Sequence, residues 1–128
     1  MANRIKVGVL GTGTVAELYY LSAVAGYSEK AELTAVCDVV PGRAEAAAQK
    51  YGAAQSYDDY SAMLAEADLD AVLVLTQHQF HYENTKQALL AGKHVAVEKP
   101  LSNRFDEAKE LIELAEARGL KLSCAPPM

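Results

Sequence analysis

Residues 5–16 read Ile5-Lys-Val-Gly-Val-Leu-Gly-Thr-Gly-Thr-Val-Ala16. An apolar strand pattern runs directly into the motif Gly11-x-Gly13-x-x-Ala16, and a helical pattern follows it. Gly11 permits a tight turn, Gly13 lets the backbone approach a pyrophosphate, and Ala16 lets the helix pack near the strand. The unpaired N–H groups and the positive dipole end at the start of that helix would face the phosphates.

An acidic residue completes this pattern. Asp38 lies 22 residues after Ala16, at the end of a second apolar run, Leu33-Thr-Ala-Val-Cys37. A carboxylate there can accept hydrogen bonds from both hydroxyls of an adenosine ribose. Strand, glycine turn, helix and acid together predict a dinucleotide-binding domain. The same residues leave open a tight strand-to-helix turn in an α/β domain that binds nothing.

Length and composition predict one globular domain. The chain has 128 residues, of which 51% are hydrophobic and 23% are charged, enough to bury a core. The net charge of −5 argues against a nucleic-acid partner. Two cysteines, Cys37 and Cys124, are too few for a disulfide framework, and their apolar surroundings predict buried thiols. Since every apolar run is too short for a signal peptide or a membrane span, we expect a cytoplasmic protein without a membrane partner.

Strand and helix patterns alternate along the whole chain, which is typical of a parallel sheet covered by helices. The predicted strands lie at about residues 4–10, 31–37, 54–56, 71–75, 94–97 and 120–124. The predicted helices lie at about residues 13–25, 41–51, 58–65, 81–90 and 103–118. In the last helix, Asn103 is expected at the N-cap, with Ala108, Leu111, Ile112 and Ala115 facing inward. We therefore predict a Rossmann-type, doubly wound parallel sheet of about six strands in a three-layer α/β/α fold.

The expected strand order, 3-2-1-4-5-6, predicts where a ligand binds. In such a sheet the crevice lies at the carboxyl ends of strands one and four, where the order reverses. Gly11, Asp38, Thr76 and Glu98 all follow strand ends, so we expect them to converge there. The same order places Cys37 and Cys124 on distant strands, which makes a disulfide between them unfavourable.

Two later stretches carry a more specific pattern. Thr76-Gln-His-Gln-Phe-His81 follows the fourth strand, and Ala91-Gly-Lys-His-Val95 leads to Glu98-Lys-Pro100. Together with the glycine turn, they make the whole chain resemble the N-terminal domain of the glucose–fructose oxidoreductase, inositol dehydrogenase and rhizopine-catabolism family. The resemblance implies an NAD(P)-dependent oxidoreductase that transfers a hydride to or from a hydroxyl or carbonyl carbon of a sugar, an inositol or a related polyol.

The resemblance also implies roles for individual residues. The catalytic residue would be Lys99, assisting proton movement at the substrate oxygen, and Glu98 would lie near the nicotinamide ribose. Gln77 departs from the proline that often follows the family's threonine, whereas His81 matches the family's histidine. The expected cofactor is NAD, with NADP as the alternative, because Asp38 would repel a 2′-phosphate and Arg43 would soften that repulsion. The implied cofactor-binding residues are Gly11, Thr12, Gly13, Thr14, Val15, Asp38, Arg43, Thr76, Gln77, His81, Glu98 and Lys99.

Domain content and alternative functions follow from the same resemblance. Residues 1–128 are expected to be the NAD(P)-binding domain, without the α+β substrate domain that follows it in the family. We expect this chain to bind cofactor without turnover and to self-associate as a homo-oligomer through the face near Lys99, Pro100 and Pro126-Pro127. A non-catalytic nucleotide-binding or redox-sensing module is the main alternative, and a methyltransferase is a third class. No metal site is expected, because His78 and His81 lack a certain third ligand.

Overall fold

The computed structural model describes residues 4–12, 30–98 and 101–125. The predicted helix at 13–25 lies outside the described residues, and so do Gly13, Thr14, Val15 and Lys99. The described segments form one sheet with helices on both of its faces, which confirms the predicted fold class.

Six parallel strands form the sheet. They are β1 (Ile5–Leu10), β2 (Ala31–Cys37), β3 (Gln55–Tyr57), β4 (Ala71–Val74), β5 (His94–Glu98) and β6 (Leu122–Ala125). Their order is β3-β2-β1-β4-β5-β6, as predicted. In the register of the sheet, Val9 of β1 lies between Val36 of β2 and Leu73 of β4. Because all neighbouring pairs are parallel, the carboxyl ends of all six strands lie on the same side of the sheet.

Four α-helices are described between these strands. They are α1 (Arg43–Tyr51), α2 (Tyr60–Glu66), α3 (His81–Leu90) and α4 (Phe105–Ala117). A 3₁₀ turn, His78–Phe80, directly precedes α3. Gly52 follows α1 with φ 81° and Gly92 lies just after α3 with φ 82°, which confirms both glycines as left-handed helix ends. The structure differs at Pro41, which lies in the turn before α1 and not in its first helical turn.

The start and the inner face of α4 differ from the prediction. Arg104, and not Asn103, is the N-cap residue. The Ser102 hydroxyl accepts a hydrogen bond from the backbone N–H of Arg104 and donates one to Glu107, so the helix start is held without Asn103. The buried side chains are Leu111 and Ala115, while Ile112 is 47% exposed. The helix is thus rotated so that its buried stripe does not include Ile112.

Two apolar clusters share the strands of the sheet. One contains Leu10, Cys37 and Val74 and packs against helices α2, α3 and α4, and the other contains Val9 and Val36 and packs against α1. Successive residues of a strand point to opposite faces, so the neighbours Leu10 and Val9 belong to different clusters. Helices therefore cover both faces, which gives the three-layer arrangement.

The two cysteines differ in burial. Both are free, with Cys37 buried and Cys124 exposed, so the prediction of two buried thiols is wrong for Cys124. The reason is that β6 ends the described sheet and pairs only with β5. Among the described helices, none has the length and apolar character needed to cross a membrane.

Candidate functional site

An open cleft of about 690 Å³ runs along the carboxyl ends of β1, β2, β4 and β5. It crosses the point where the strand order reverses between β1 and β4, which is where a doubly wound sheet binds ligands. The structure brings together at this cleft six of the residues predicted from the sequence: Gly11, Asp38, Arg43, Thr76, Gln77 and Glu98.

The turn after β1 is held between its two neighbouring strands. The backbone N–H of Gly11 donates to the carbonyl of Cys37 at 2.9 Å. Gly11 has φ +96°, and a Cβ there would lie 2.9 Å from the carbonyl carbon and oxygen of Leu75. Only glycine fits both the positive φ and this close approach. The entry to the predicted phosphate turn is therefore fixed by the sheet itself.

Asp38 is a buried carboxylate at the end of β2, only 7% exposed. Its Oδ2 accepts two hydrogen bonds from Thr12, one from the backbone N–H and one from the hydroxyl, both at 2.9 Å. Its Oδ1 accepts a hydrogen bond of 2.9 Å from the backbone N–H of Val40. The guanidinium of Arg43 lies 3.8 Å from Oδ2. All of these partners favour the charged carboxylate.

The pKa of Asp38 reflects this balance. Burial by itself would raise the pKa of the carboxyl, because a charge loses solvation there. The hydrogen bonds from Val40 and Thr12 and the charge of Arg43 outweigh burial, and they hold the pKa of Asp38 below its usual value. The cleft therefore presents a negative charge at its β2 end at neutral pH.

The loop between β4 and α3 forms the opposite wall. The Thr76 hydroxyl donates to the side-chain oxygen of Asn84 at 2.8 Å, and the Thr76 carbonyl accepts a hydrogen bond of 2.7 Å from His81 Nε2. The Tyr60 hydroxyl in turn donates to the carbonyl of Asn84 at 2.7 Å. His81 is fully buried and lies behind the loop, so it does not line the cleft as a cofactor contact would. The start of α3 thus supports a loop that lacks the stiffening proline.

Some residues at the cleft were missed by sequence reasoning. Val39 and Phe80 line it and are 76% and 46% exposed, and they offer apolar surface for a flat ring. Each follows a strand end that the sequence had already marked, so reading a few residues further would have found them. Asn84 and Tyr60 carry no comparable signal, because their contacts with the loop are made only in the folded chain.

Glu98 stands at the other end of the cleft. It ends β5, while Asp38 follows β2, and β1 and β4 lie between these two strands. Gly11, directly after β1, lies between the two carboxylates. A ligand with two polar ends and an anionic middle would match this order of groups. Within the described part of the chain, no three His, Cys, Asp or Glu side chains are grouped as for a metal ion.

Comparison with protein families identifies one match over nearly the whole chain. Residues 5–125 match the family described as "Oxidoreductase family, NAD-binding Rossmann fold". The D-glucoside 3-dehydrogenase of Escherichia coli K12 is 39% identical over 122 residues, which cover 95% of this chain and 34% of that protein. The inositol 2-dehydrogenase of Salmonella typhimurium is 32% identical over 119 residues, which cover 92% and 35%. The chain spans about a third of the length of these relatives.

Solved structures agree with this match. The scyllo-inositol dehydrogenase of Lactobacillus casei with bound NAD(H) and scyllo-inositol superposes with a TM-score of 0.88 at 28% identity, over 96% of this chain and 36% of that one. A 3-ketoreductase of Actinomadura kijaniata in complex with NADP gives a TM-score of 0.89 at 34% identity, over 95% and 37%.

Proposed function

This chain belongs to the oxidoreductase family of glucose–fructose oxidoreductase, inositol dehydrogenase and the rhizopine-catabolism proteins, as a NAD-binding Rossmann domain, and we propose that its cleft binds NAD for hydride transfer to or from a sugar or inositol. The observation that carries this proposal is the row of Asp38, the Gly11 turn and Glu98 along one cleft. Asp38 would bind the adenosine ribose, residues 11–15 the pyrophosphate, and Glu98 the nicotinamide ribose. The bound nicotinamide would supply the hydride chemistry.

Lys99 is the proposed catalytic residue. It directly follows Glu98, which lines the cleft, and this position supports a role beside the nicotinamide end. A lysine side chain there would hold the substrate oxygen: the neutral amine would accept the hydroxyl proton as the hydride leaves in oxidation, and the ammonium would return that proton to the carbonyl oxygen in reduction. Thr76 and Gln77 would contact the cofactor from the opposite wall, and the supporting contact of Thr76 with His81 keeps that wall in place.

NAD is the preferred cofactor because of the negative charge of Asp38. An NADP 2′-phosphate would lie against the carboxylate of Asp38, which is ionised and buried, and this repulsion is costly in a low dielectric. Arg43, at 3.8 Å from Asp38, reduces the cost and does not remove it. We expect a lower dissociation constant for NAD than for NADP.

The substrate is proposed to be a ring carbon bearing a hydroxyl or carbonyl group in a sugar, an inositol or a related polyol. The named activities of the relatives support this class: a D-glucoside 3-dehydrogenase and an inositol 2-dehydrogenase. We propose that residues 1–128 form one cofactor-binding domain, and that productive substrate binding needs more residues than these. The match to only a third of each relative supports that division.

Location and assembly remain proposals. We propose a cytoplasmic protein, which the two free cysteines support because thiols persist in a reducing compartment. Homo-oligomerisation stays a prediction, since the face near Lys99 and Pro126-Pro127 lies outside the described residues.

Calorimetric titration of the 128-residue chain with NAD and NADP tests the proposal. We expect NAD to bind more tightly than NADP, and Gly13→Val to abolish binding by closing the approach to the pyrophosphate. Gly119→Ala is the control at a glycine outside the cleft: Gly119 lies after α4, its φ of +68° strains any added side chain, but an added Cβ meets nothing within 4 Å. Circular dichroism shows whether each variant folds. Unchanged NAD binding by Gly13→Val would contradict the phosphate site, and equal constants for the two cofactors would contradict the preference.

A further inference from the structure

Thr12 and Asp38 are 26 residues apart in sequence and are joined by two hydrogen bonds. Both donors of Thr12, its backbone N–H and its hydroxyl, reach the same oxygen of Asp38, Oδ2, at 2.9 Å. Both residues are buried, Thr12 at 4% and Asp38 at 7% exposure. Asp38 lines the cleft, whereas Thr12 is not among the residues that line it. The contact therefore acts behind the carboxylate and not on a ligand.

The acceptor sites of Asp38 show what this contact does. A carboxylate offers about four lone-pair sites, two on each oxygen. The two donors of Thr12 fill Oδ2, and the backbone N–H of Val40 fills one site on Oδ1. Arg43, at 3.8 Å, contributes charge and no hydrogen bond, because the distance is too long. One strong acceptor site on Oδ1 remains for a ligand.

We propose that Thr12 is the positioning residue of Asp38. Its hydroxyl fixes the carboxylate so that Oδ1 accepts a hydrogen bond from one ribose hydroxyl, and so that the carboxylate cannot rotate away from a 2′-phosphate. The backbone N–H groups of Thr12 and Val40 each hold one oxygen of Asp38, and the Thr12 hydroxyl adds a second bond on Oδ2. Without this second bond the carboxylate rotates more easily to relieve charge repulsion from a 2′-phosphate, whereas with it the repulsion is kept. Thr12 thereby sets the discrimination between NAD and NADP through the carboxylate of Asp38. This inference rests on the proposed function of the cleft.

Three substitutions of Thr12 separate the effect of its hydroxyl group from the effect of its side-chain shape. Thr12→Val keeps the volume and the branching at Cβ but places a methyl group against Oδ2. Thr12→Ser keeps the hydroxyl and removes only the methyl group, so it is the matched control. Thr12→Ala removes the hydroxyl without a steric demand, and it serves if the valine variant does not fold. All three variants keep the backbone N–H bond to Asp38.

The experiment measures dissociation constants of NAD and NADP by calorimetry for the parent chain and these variants, with circular dichroism as the check of folding. We expect Thr12→Val and Thr12→Ala to weaken NAD binding about tenfold, which corresponds to about 1.4 kcal/mol. NADP binding should weaken less, so that the dissociation constants of the two cofactors become more similar. Thr12→Ser should stay within about twofold of the parent, because its hydroxyl makes the same charge-assisted bond.

A double-mutant cycle with Asp38→Asn tests whether Thr12 acts through Asp38. We expect Asp38→Asn alone to weaken NAD binding and to make the dissociation constants of NAD and NADP more similar. Adding Thr12→Val to Asp38→Asn should change neither constant further. Equal losses from Thr12→Val in both backgrounds would overturn the inference, because Thr12 would then act on the turn itself. A parent that binds NAD while Thr12→Val and Thr12→Ala keep its constants and ratio would also overturn it. A parent that binds neither cofactor would instead overturn the proposed function, and this inference with it.

Discussion

Gly11 lies so close to Leu75 that a Cβ on the glycine would be 2.9 Å from the carbonyl carbon and the carbonyl oxygen of Leu75. Real Cβ atoms essentially never come this close to another heavy atom. The carbonyl group of Leu75 belongs to the backbone directly after β4, so it cannot move aside as a flexible side chain can. The first glycine of the motif thus serves the contact between the ends of β1 and β4 as well as the turn.

Gly11→Ala should therefore destabilise the fold by about 2–4 kcal/mol, combining strain at positive φ with the clash against Leu75. Gly52→Ala is the matched control, since Gly52 has φ +81° and a Cβ added there would meet nothing within 4 Å, and it should cost about 1 kcal/mol. Urea unfolding gives both free energies. Equal losses at the two positions would mean that the approach to Leu75 carries no cost.

The charge of Asp38 should be visible in the pH dependence of stability. Its pKa is lowered from 3.8 in the folded chain, so its ionised form stabilises the fold above about pH 4, and that stabilisation is lost as the pH falls through the lower folded pKa. The difference in unfolding free energy between the parent and Asp38→Asn should be constant from about pH 8 to pH 5 and should shrink below about pH 4. A difference that grows on acidification would contradict the lowered pKa.

The support of the cleft wall by α3 can be tested at Asn84. Asn84→Ala removes the acceptor of the Thr76 hydroxyl, and we expect it to lower stability by about 1 kcal/mol and to weaken NAD binding a few-fold. Amide hydrogen exchange should rise in residues 75–80. Asn103→Ala is the control, because Asn103 is exposed and does not cap α4. An unchanged exchange rate in the loop of Asn84→Ala would rule out this supporting role.

The two thiols should react at very different rates. Burial, followed by the neighbouring Asp38 carboxylate, raises the pKa of the Cys37 thiol to about 12, while Cys124 is exposed on β6. A thiol-specific disulfide reagent at neutral pH should modify one cysteine of the folded chain and both after denaturation. Cys124→Ser should leave the folded chain unreactive. Rapid reaction of Cys37 in that variant would show that the β2 end of the cleft opens to solvent.

The sequence predicts the strand order and the cleft because both depend on local patterns. Alternating strands and helices restrict the topology, and Asp38 and Glu98 follow strand ends that are readable as apolar runs. Asn84 and Tyr60 could not be found this way, since their bonds join α2, α3 and the loop only after folding. The exposure of Ile112 and Cys124 was missed for a related reason, because a periodic pattern does not fix the rotation of a helix or reveal which strand ends a sheet.

Turnover is the final test of how much of the reaction these residues contain. Hydride transfer requires the substrate carbon to be held against the nicotinamide to within about half an ångström, and Lys99 is the one predicted catalytic side chain in this sequence. The 128-residue chain spans about a third of its relatives, so we expect it to bind NAD and to reduce none of it. The measurement incubates the purified chain with NAD and a panel of glucosides, inositols and other polyols while following the absorbance of the reduced nicotinamide. A full-length inositol 2-dehydrogenase or D-glucoside 3-dehydrogenase is the positive control. Steady, substrate-dependent reduction of NAD by the 128-residue chain would contradict the proposal that these residues bind only the cofactor, because they would then hold the substrate as well.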